Sequence, residues 1–292
     1  MPESIVTILD IAIGGLLLGG IYALIAMGLS LQYGVARVLN IAHGEFIMIG
    51  AFGTFTLYTV LGINPLVCLA IIGPIIFIIG FLLHRTLFHR LSLKAPNPGA
   101  FEASSLLATF GLLFIIQNLV LMGWGADFRS YSYLNFGVDI WGAIFSANKL
   151  VILGFAVGIG VAFYLFLARS RIGKAIRSAA QDPQTASLMG VNINRVLAIC
   201  FGLGALMAGV AGVLLSMRIP LNPAMGLQYT LIAIIVIVLG GLGSIPGSFI
   251  GGFILGIIGE VVTHFDPSLS LAAYYFIFML LLFVRPKGIF GK

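Results

Sequence analysis

Long apolar runs separated by short polar segments dominate the chain. Nine of them mark candidate helices, at about residues 11–32, 41–62, 65–84, 103–122, 149–168, 195–217, 227–242, 247–264 and 269–284. At 1.5 Å per residue, about 20 residues cross the roughly 30 Å hydrocarbon core of a bilayer. The pattern predicts an all-α polytopic membrane protein, a single transmembrane domain over residues 1–292 with eight to nine spanning helices. A broken or re-entrant helix in the first two runs, or around Ser244, changes the count to eight or ten.

Composition agrees with the pattern. Of 292 residues, 60% are hydrophobic and 8% charged, against roughly a quarter charged in soluble domains. The opening "MPESIVTILD" has no Lys or Arg and lacks the basic region of a cleavable signal, so 11–32 is expected to be a retained first helix. Cys68 and Cys200 fall inside apolar runs, where packing is the expected role.

The net charge is +6, and its distribution orients the chain. With 84–102 on the cytoplasmic side, alternation puts the turn at Arg37, segment 169–195, the turn at Ser244 and the tail to Lys292 there too. Only Arg129, Lys149 and Arg218 of the 15 basic residues are then left outside, the asymmetry of the positive-inside rule. An outside N-terminus and a cytoplasmic C-terminus follow.

A weak internal repeat is present. "YALIAM" at 22–27 resembles "YTLIAI" at 229–234, and "HGEFIMIGAFG" at 43–53 resembles "PGSFIGGFILG" at 246–256. Both copies run in the same direction in this topology, a parallel repeat, and paired interruptions in two halves point to a transport pathway. Gly204, Ala208, Gly212 and Ser216 are spaced by four, as are Gly243, Gly247 and Gly251, and Gly252 with Gly256. Such spacing lines one helix face with small residues for close packing, within one subunit or between subunits.

Two polar interruptions stand out. In "RSRIGKAIRSAAQDPQTASLMGVNINR", residues 169–195, Asp182 is placed to cap a helix that Pro183 begins and Gly190 closes. A short helix near 183–189 is expected, exposing Thr185, Ala186, Leu188 and Met189. In "VLNIAHGEFIMIGAF", Asn40, His43 and Glu45 sit in an otherwise apolar stretch. They fit either polar residues tolerated at a membrane interface or groups lining a pathway, since an intramembrane carboxylate must face protein or water. His43 has no second ligand at metal spacing. Glu260, deep in its span near Asp266, reads as a wet or surface group at the outer side.

"GGIYALIAMGLSLQYGVARVLNIAHGEFIMIGA", "GKAIRSAAQDPQTASLMGVNINRV" and "AIIVIVLGGLGSIPGSFIGG", with "FGLGALMAGVAGVLL", spread over almost the whole chain. In these stretches it resembles the permease subunits of ATP-binding-cassette (ABC) importers of the branched-chain amino acid uptake family. The resemblance implies a type II ABC importer-like fold, and makes Gly173 through Val191, inside loop 169–195, the coupling loop that docks into an ATPase. Arg177, Ala180, Asp182, Ala186 and Gly190 fit that pattern, Gly173 and Pro183 lie in the same segment, and Gln181 stands where the family often has Glu. It also implies a discontinuous segment beside the translocation path, with Asn40, His43 and Glu45 keeping the break hydrated and positioning substrate or gate. Ser244 and Ser248 form the weaker echo.

The chain has no G-x-x-x-x-G-K-[ST] phosphate loop, since Gly173-Lys174 is followed by Ala175. It is therefore expected to bind no cofactor directly, ATP being used by two partner ATPase subunits. The other implied partners are a second, different permease subunit, although a homodimer fits the sequence equally, and a periplasmic or extracellular substrate-binding protein. The setting is the lipid of a bacterial inner membrane, with no nucleic acid. Relatives of this kind carry leucine, isoleucine and valine, other neutral amino acids, or urea and short amides, and the sequence does not separate them. A passive facilitator or secondary transporter is the alternative from another class; an intramembrane enzyme lacks a nucleophile and base at convincing spacing.

Overall fold

The structure, a computed structural model, describes residues 3–140, 143–285 and 287–291. Lys292, assigned above to the cytoplasmic tail, lies outside the described residues. The helices are α1 (Glu3–Ala36), α2 (His43–Leu61), α3 (Pro65–Leu83), α4 (His89–Lys94), α5 (Pro98–Trp124), α6 (Ala147–Arg169), α7 (Arg171–Gln181), α8 (Pro183–Leu188), α9 (Ile193–Ser216), α10 (Met225–Gly240), α11 (Ile245–Phe265) and α12 (Ser270–Val284). Several begin in the same way: an Asn, Asp or Ser side chain accepts a backbone N–H bond and a proline occupies the first turn, as at Asn64-Pro65, Asn97-Pro98, Asp182-Pro183 and Ser244 with Pro246.

Among the described residues, eight helices are long and apolar enough to cross a membrane, and α10 is a shorter apolar helix. At 16 residues, α10 rises about 24 Å, less than a full hydrocarbon core. All nine apolar runs are helical, with boundaries moved by a few residues. One boundary moves far. The helix beginning at Pro65 does not stop at 84 but continues through a π-helical turn, His84–Phe88, into α4. No proline or glycine lies between His84 and Pro96, and Arg85, Arg90 and Lys94 keep their charged heads out while their stems extend the helix. A small antiparallel hairpin, β1 (Gly137–Ile140) with β2 (Ala143–Ser146), pairs Gly137 with Ser146 and Val138 with Phe145; no strand was expected there.

The most buried helix is α9, enclosed by α1, α2 and α3. At the other extreme, Tyr274 is the one buried residue of α12, whose apolar side chains face outward as they do toward lipid. The four-residue spacings serve packing within this chain. A methyl group on Gly212 would strike the Ile47 carbonyl, and one on Gly252 or Gly256 would strike the backbone of Ala23 or Gly19. These contacts hold α1 antiparallel along α11, with Gly34 against Gly243 at one end and Gly14 against Glu260 at the other. Because α10 and α11 form a tight antiparallel pair, α1 and α10 point the same way, as the repeat requires.

Glu260 departs from its expected surface setting. Its carboxylate is 3.4 Å from the Arg218 guanidinium, with side chains 16% and 22% exposed. The ion pair joins α11 to the segment after α9, which explains how a carboxylate is kept inside an apolar run.

Candidate functional site

The first interruption is a break at depth. Helix α1 ends in a sharp reversal, with Arg37 in the left-handed region at φ +54°, a conformation that costs a non-glycine residue about 1 kcal/mol. Residues 37–42 then climb back along α1. His43 Nε2 donates to the Ile25 carbonyl at 3.0 Å, about three turns before the end of α1. Asn40 donates to Gln32 at 3.3 Å, and Gln32 donates to the Phe201 carbonyl at 3.1 Å. Across the break, Thr109 of α5 accepts from the Ile41 N–H at 3.3 Å.

The start of α2 meets the start of α10. The Thr230 hydroxyl accepts from the Gly44 N–H at 2.8 Å and donates to the Ile41 carbonyl at 2.9 Å, bridging the two sides of the break. Gly44 lies so close to the Gly226 carbonyl that no Cβ fits there, and a Cβ on Gly226 would in turn strike the Glu45 carboxylate. Two helix N-termini, each carrying partial positive charge, therefore converge on one carboxylate. That convergence explains how Glu45, 1% exposed, is tolerated. Asn40, His43 and Glu45 are all buried, and Asn40 Oδ1, His43 Nδ1 and Glu45 Oε2 have no hydrogen-bond partner. Acceptors left free beside two helix starts form a place where an ammonium or amide donor can be received.

The structure does not bring Ser244 and Ser248 to this cluster. Ser244 caps α11 by accepting from the Gly247 N–H at 3.2 Å, and Ser248 donates to the Ser244 carbonyl at 3.0 Å, beside Gly34 at the end of α1. Sequence reasoning missed Gln32, Thr109, Gly226 and Thr230. Thr230 lies inside the repeat stretch "YTLIAI", which was its one available signal.

The second interruption is exposed and self-contained. Asp182 accepts from the Gln184 and Thr185 N–H groups at 3.0 and 3.1 Å and from the Thr185 hydroxyl at 2.5 Å. The Thr185 hydroxyl, followed by its N–H, holds the Asp182 carboxyl below the usual carboxylate range. Gly190 closes α8 in the left-handed region at φ +86°, with Val191 N–H bonded to Ala186 O and Gly190 N–H to Ser187 O, the Schellman pattern. Leu188 and Met189 are 87% and 81% exposed, as expected. Ala186 is not: it is buried, because it is the residue on which α8 packs against the rest of the chain. Pro183 and Ala180 are exposed.

Residues 171–181 form the amphipathic α7, whose Gly173, Ile176 and Ala179 face inward. Gly173 sits where any Cβ would overlap the Leu167 carbonyl. Arg177 turns back to donate to the Leu167 and Ala168 carbonyls, capping α6. It fixes the angle between α6 and α7.

Fold and site together define a polytopic helix bundle with a polar break at mid-depth and a short, exposed, doubly capped helix at its basic end. The sequence model described as branched-chain amino acid transport system / permease component matches residues 11–285, and the chain belongs to this family. A high-affinity branched-chain amino acid transport system permease protein, BraD of Pseudomonas aeruginosa (strain PAO1), is 35% identical over 311 aligned residues, covering 100% of this chain and 98% of the relative. LivH of Escherichia coli (strain K12), with the same description, is 33% identical over 312, again covering 100% and 98%. A probable branched-chain amino acid transport permease protein, LivH of Methanocaldococcus jannaschii, is 26% identical over 263, covering 87% and 81%.

Proposed function

We propose that this chain is the permease of an ATP-driven importer of branched-chain amino acids, working with two ATPase subunits, a second and different permease, and an external substrate-binding protein. The observation that carries the reading is the end-to-end match to permeases described as transporting branched-chain amino acids. The α7–α8 segment, from Gly173 to Gly190, is the ATPase-coupling element: Leu188 and Met189 offer apolar anchors, and the two caps make the element stiff enough to transmit a push. It lies on the cytoplasmic face, which places the C-terminus there and the hairpin end outside the inner membrane. Nucleotide binds the partners alone.

Asn40, His43 and Glu45 border the substrate path, and Ser244 and Ser248 stand at its neutral counterpart in the second copy of the repeat. A zwitterion carries an ammonium for the free acceptors and a carboxylate for the helix N-termini. The assembled complex, purified through a tag on this chain, should contain two ATPase chains and, in proteoliposomes, take up labelled leucine only with ATP and binding protein. Uptake by this chain alone, driven by the leucine gradient, would instead establish a facilitator.

A further inference from the structure

At the basic end, where segment 169–195 runs into α9, the π-helical turn after α3 and the first turn of α9 enclose a cavity of about 510 Å³ lined, besides Phe81, by His84, Arg85, His89, Asn192, Asn194 and Arg195. Each of these side chains can donate a hydrogen bond, and no Asp or Glu is among the lining residues. Neither arginine makes an ion pair among the described residues, so two fixed positive charges face the space without a counter-ion. The N-terminus of the 24-residue α9 opens on it as well, adding partial positive charge. His84 is 3% exposed, stacked on Phe88 and tilted against Phe201, and its Nδ1 is unpartnered, as is that of His89. Single wide turns of this kind inside α-helices recur at functional sites; here the turn sets His84, Arg85 and His89 around one opening.

We propose that this cavity holds the phosphate headgroup of an anionic phospholipid. The lining fits a phosphate diester, an acceptor-only anion matched by two guanidinium groups. A second feature selects lipid over free phosphate. Ile78 and Leu82, 54% and 50% exposed, precede Arg85 on the same helix by about two turns and one turn respectively. They lay an apolar stripe that leads from the bilayer interior to the arginines, the path of an acyl chain below its headgroup. Arg85 also stands over the Phe81 ring at 5.8 Å, which holds its guanidinium at the mouth of the cavity.

The test uses the intact full-length protein in detergent, titrated with dioctanoyl phosphatidylglycerol, dioctanoyl phosphatidylcholine or inorganic phosphate and read by native mass spectrometry. Phosphatidylglycerol is expected to bind in preference to phosphatidylcholine. Each arginine removed should weaken it about fivefold, so Arg85→Gln with Arg195→Gln costs about 25-fold. Arg85→Lys with Arg195→Lys should keep most of the preference, and Arg90→Gln, an equal charge change outside the lining, should keep all of it. Equal retention of the two lipids, an equal loss from Arg90→Gln, or displacement of phosphatidylglycerol by millimolar inorganic phosphate overturns the proposal.

Discussion

The two breaks between helices solve one problem in opposite ways. Wherever a helix ends, its terminal N–H and C=O groups need partners. At Asp182–Gly190 the partners are two to five residues away in sequence and water is at hand. At Asn40–Glu45 the His43 and Glu45 N–H groups bond locally to Asn40 and Ala42, but the Ile41 N–H and C=O and the Gly44 N–H depend on Thr109 and Thr230, up to 189 residues away, and water is excluded. The exposed break can therefore be rebuilt from its own residues, whereas the buried one exists only when α1, α5 and α10 are already in place. A rigid, locally built element suits transmission of a force. A break assembled from several helices opens or closes as those helices move, which is what a gate requires.

The sharpest way to break the comparison is to add the same kind of bulk to each. Gly44→Val drives side-chain atoms into the Gly226 carbonyl and should cost about 3 kcal/mol, seen as loss of monodisperse protein on size exclusion or a fall in Tm. Thr230→Val is next, leaving the buried Gly44 N–H and Ile41 C=O unpaired; about 1–3 kcal/mol is expected, measurable as a lower Tm with the helical circular dichroism signal intact. Gly190→Ala has open space around it but forces an alanine to φ +86°, about 1 kcal/mol. Asp182→Ala should move Tm least. Both loop variants should nonetheless uncouple ATP hydrolysis from leucine uptake in the reconstituted complex; normal coupling in both removes the docking assignment.

The pH response refines the contrast at the exposed break. Asp182 is held below the usual carboxylate range by Thr185 and Gln184. Its contribution is thus complete above the unfolded value near about pH 4 and is lost only as pH falls through the lower folded value. Coupling measured from pH 7 down to pH 5 should show no step that disappears in Asp182→Ala.

This division also sets how much was legible in the sequence. The nine apolar helices follow from the apolar runs, eight of them of bilayer length, and the capped α8 follows from Asp182, Pro183 and Gly190, because each signal acts on its near neighbours. Burial of Ala186 was not legible, since nothing local says which side of so short a helix meets α9. The polar character of Asn40, His43 and Glu45 was plain, but their partners were not: Thr230 and Gly226 look like any small residues in an apolar run until α10 is brought against α2. The π turn at His84–Phe88 has no sequence mark of its own, and the short hairpin at 137–146 is too brief for alternation to stand out beside the apolar helices. The Glu260 ion pair was hidden for a similar reason, its partner Arg218 lying in the segment after α9.

The central claim is that the buried break borders the substrate path and that Glu45 is its charged element. Glu45→Gln keeps shape and most packing while removing the charge on which α2 and α10 converge. In the reconstituted complex, the account predicts normal assembly with both ATPases and a Tm close to the parent protein, with leucine uptake and leucine-stimulated ATP hydrolysis each reduced at least about tenfold, the equivalent of about 1.4 kcal/mol. Uptake and stimulated hydrolysis at parental levels would contradict it and leave Glu45 a structural residue of the α2–α10 contact.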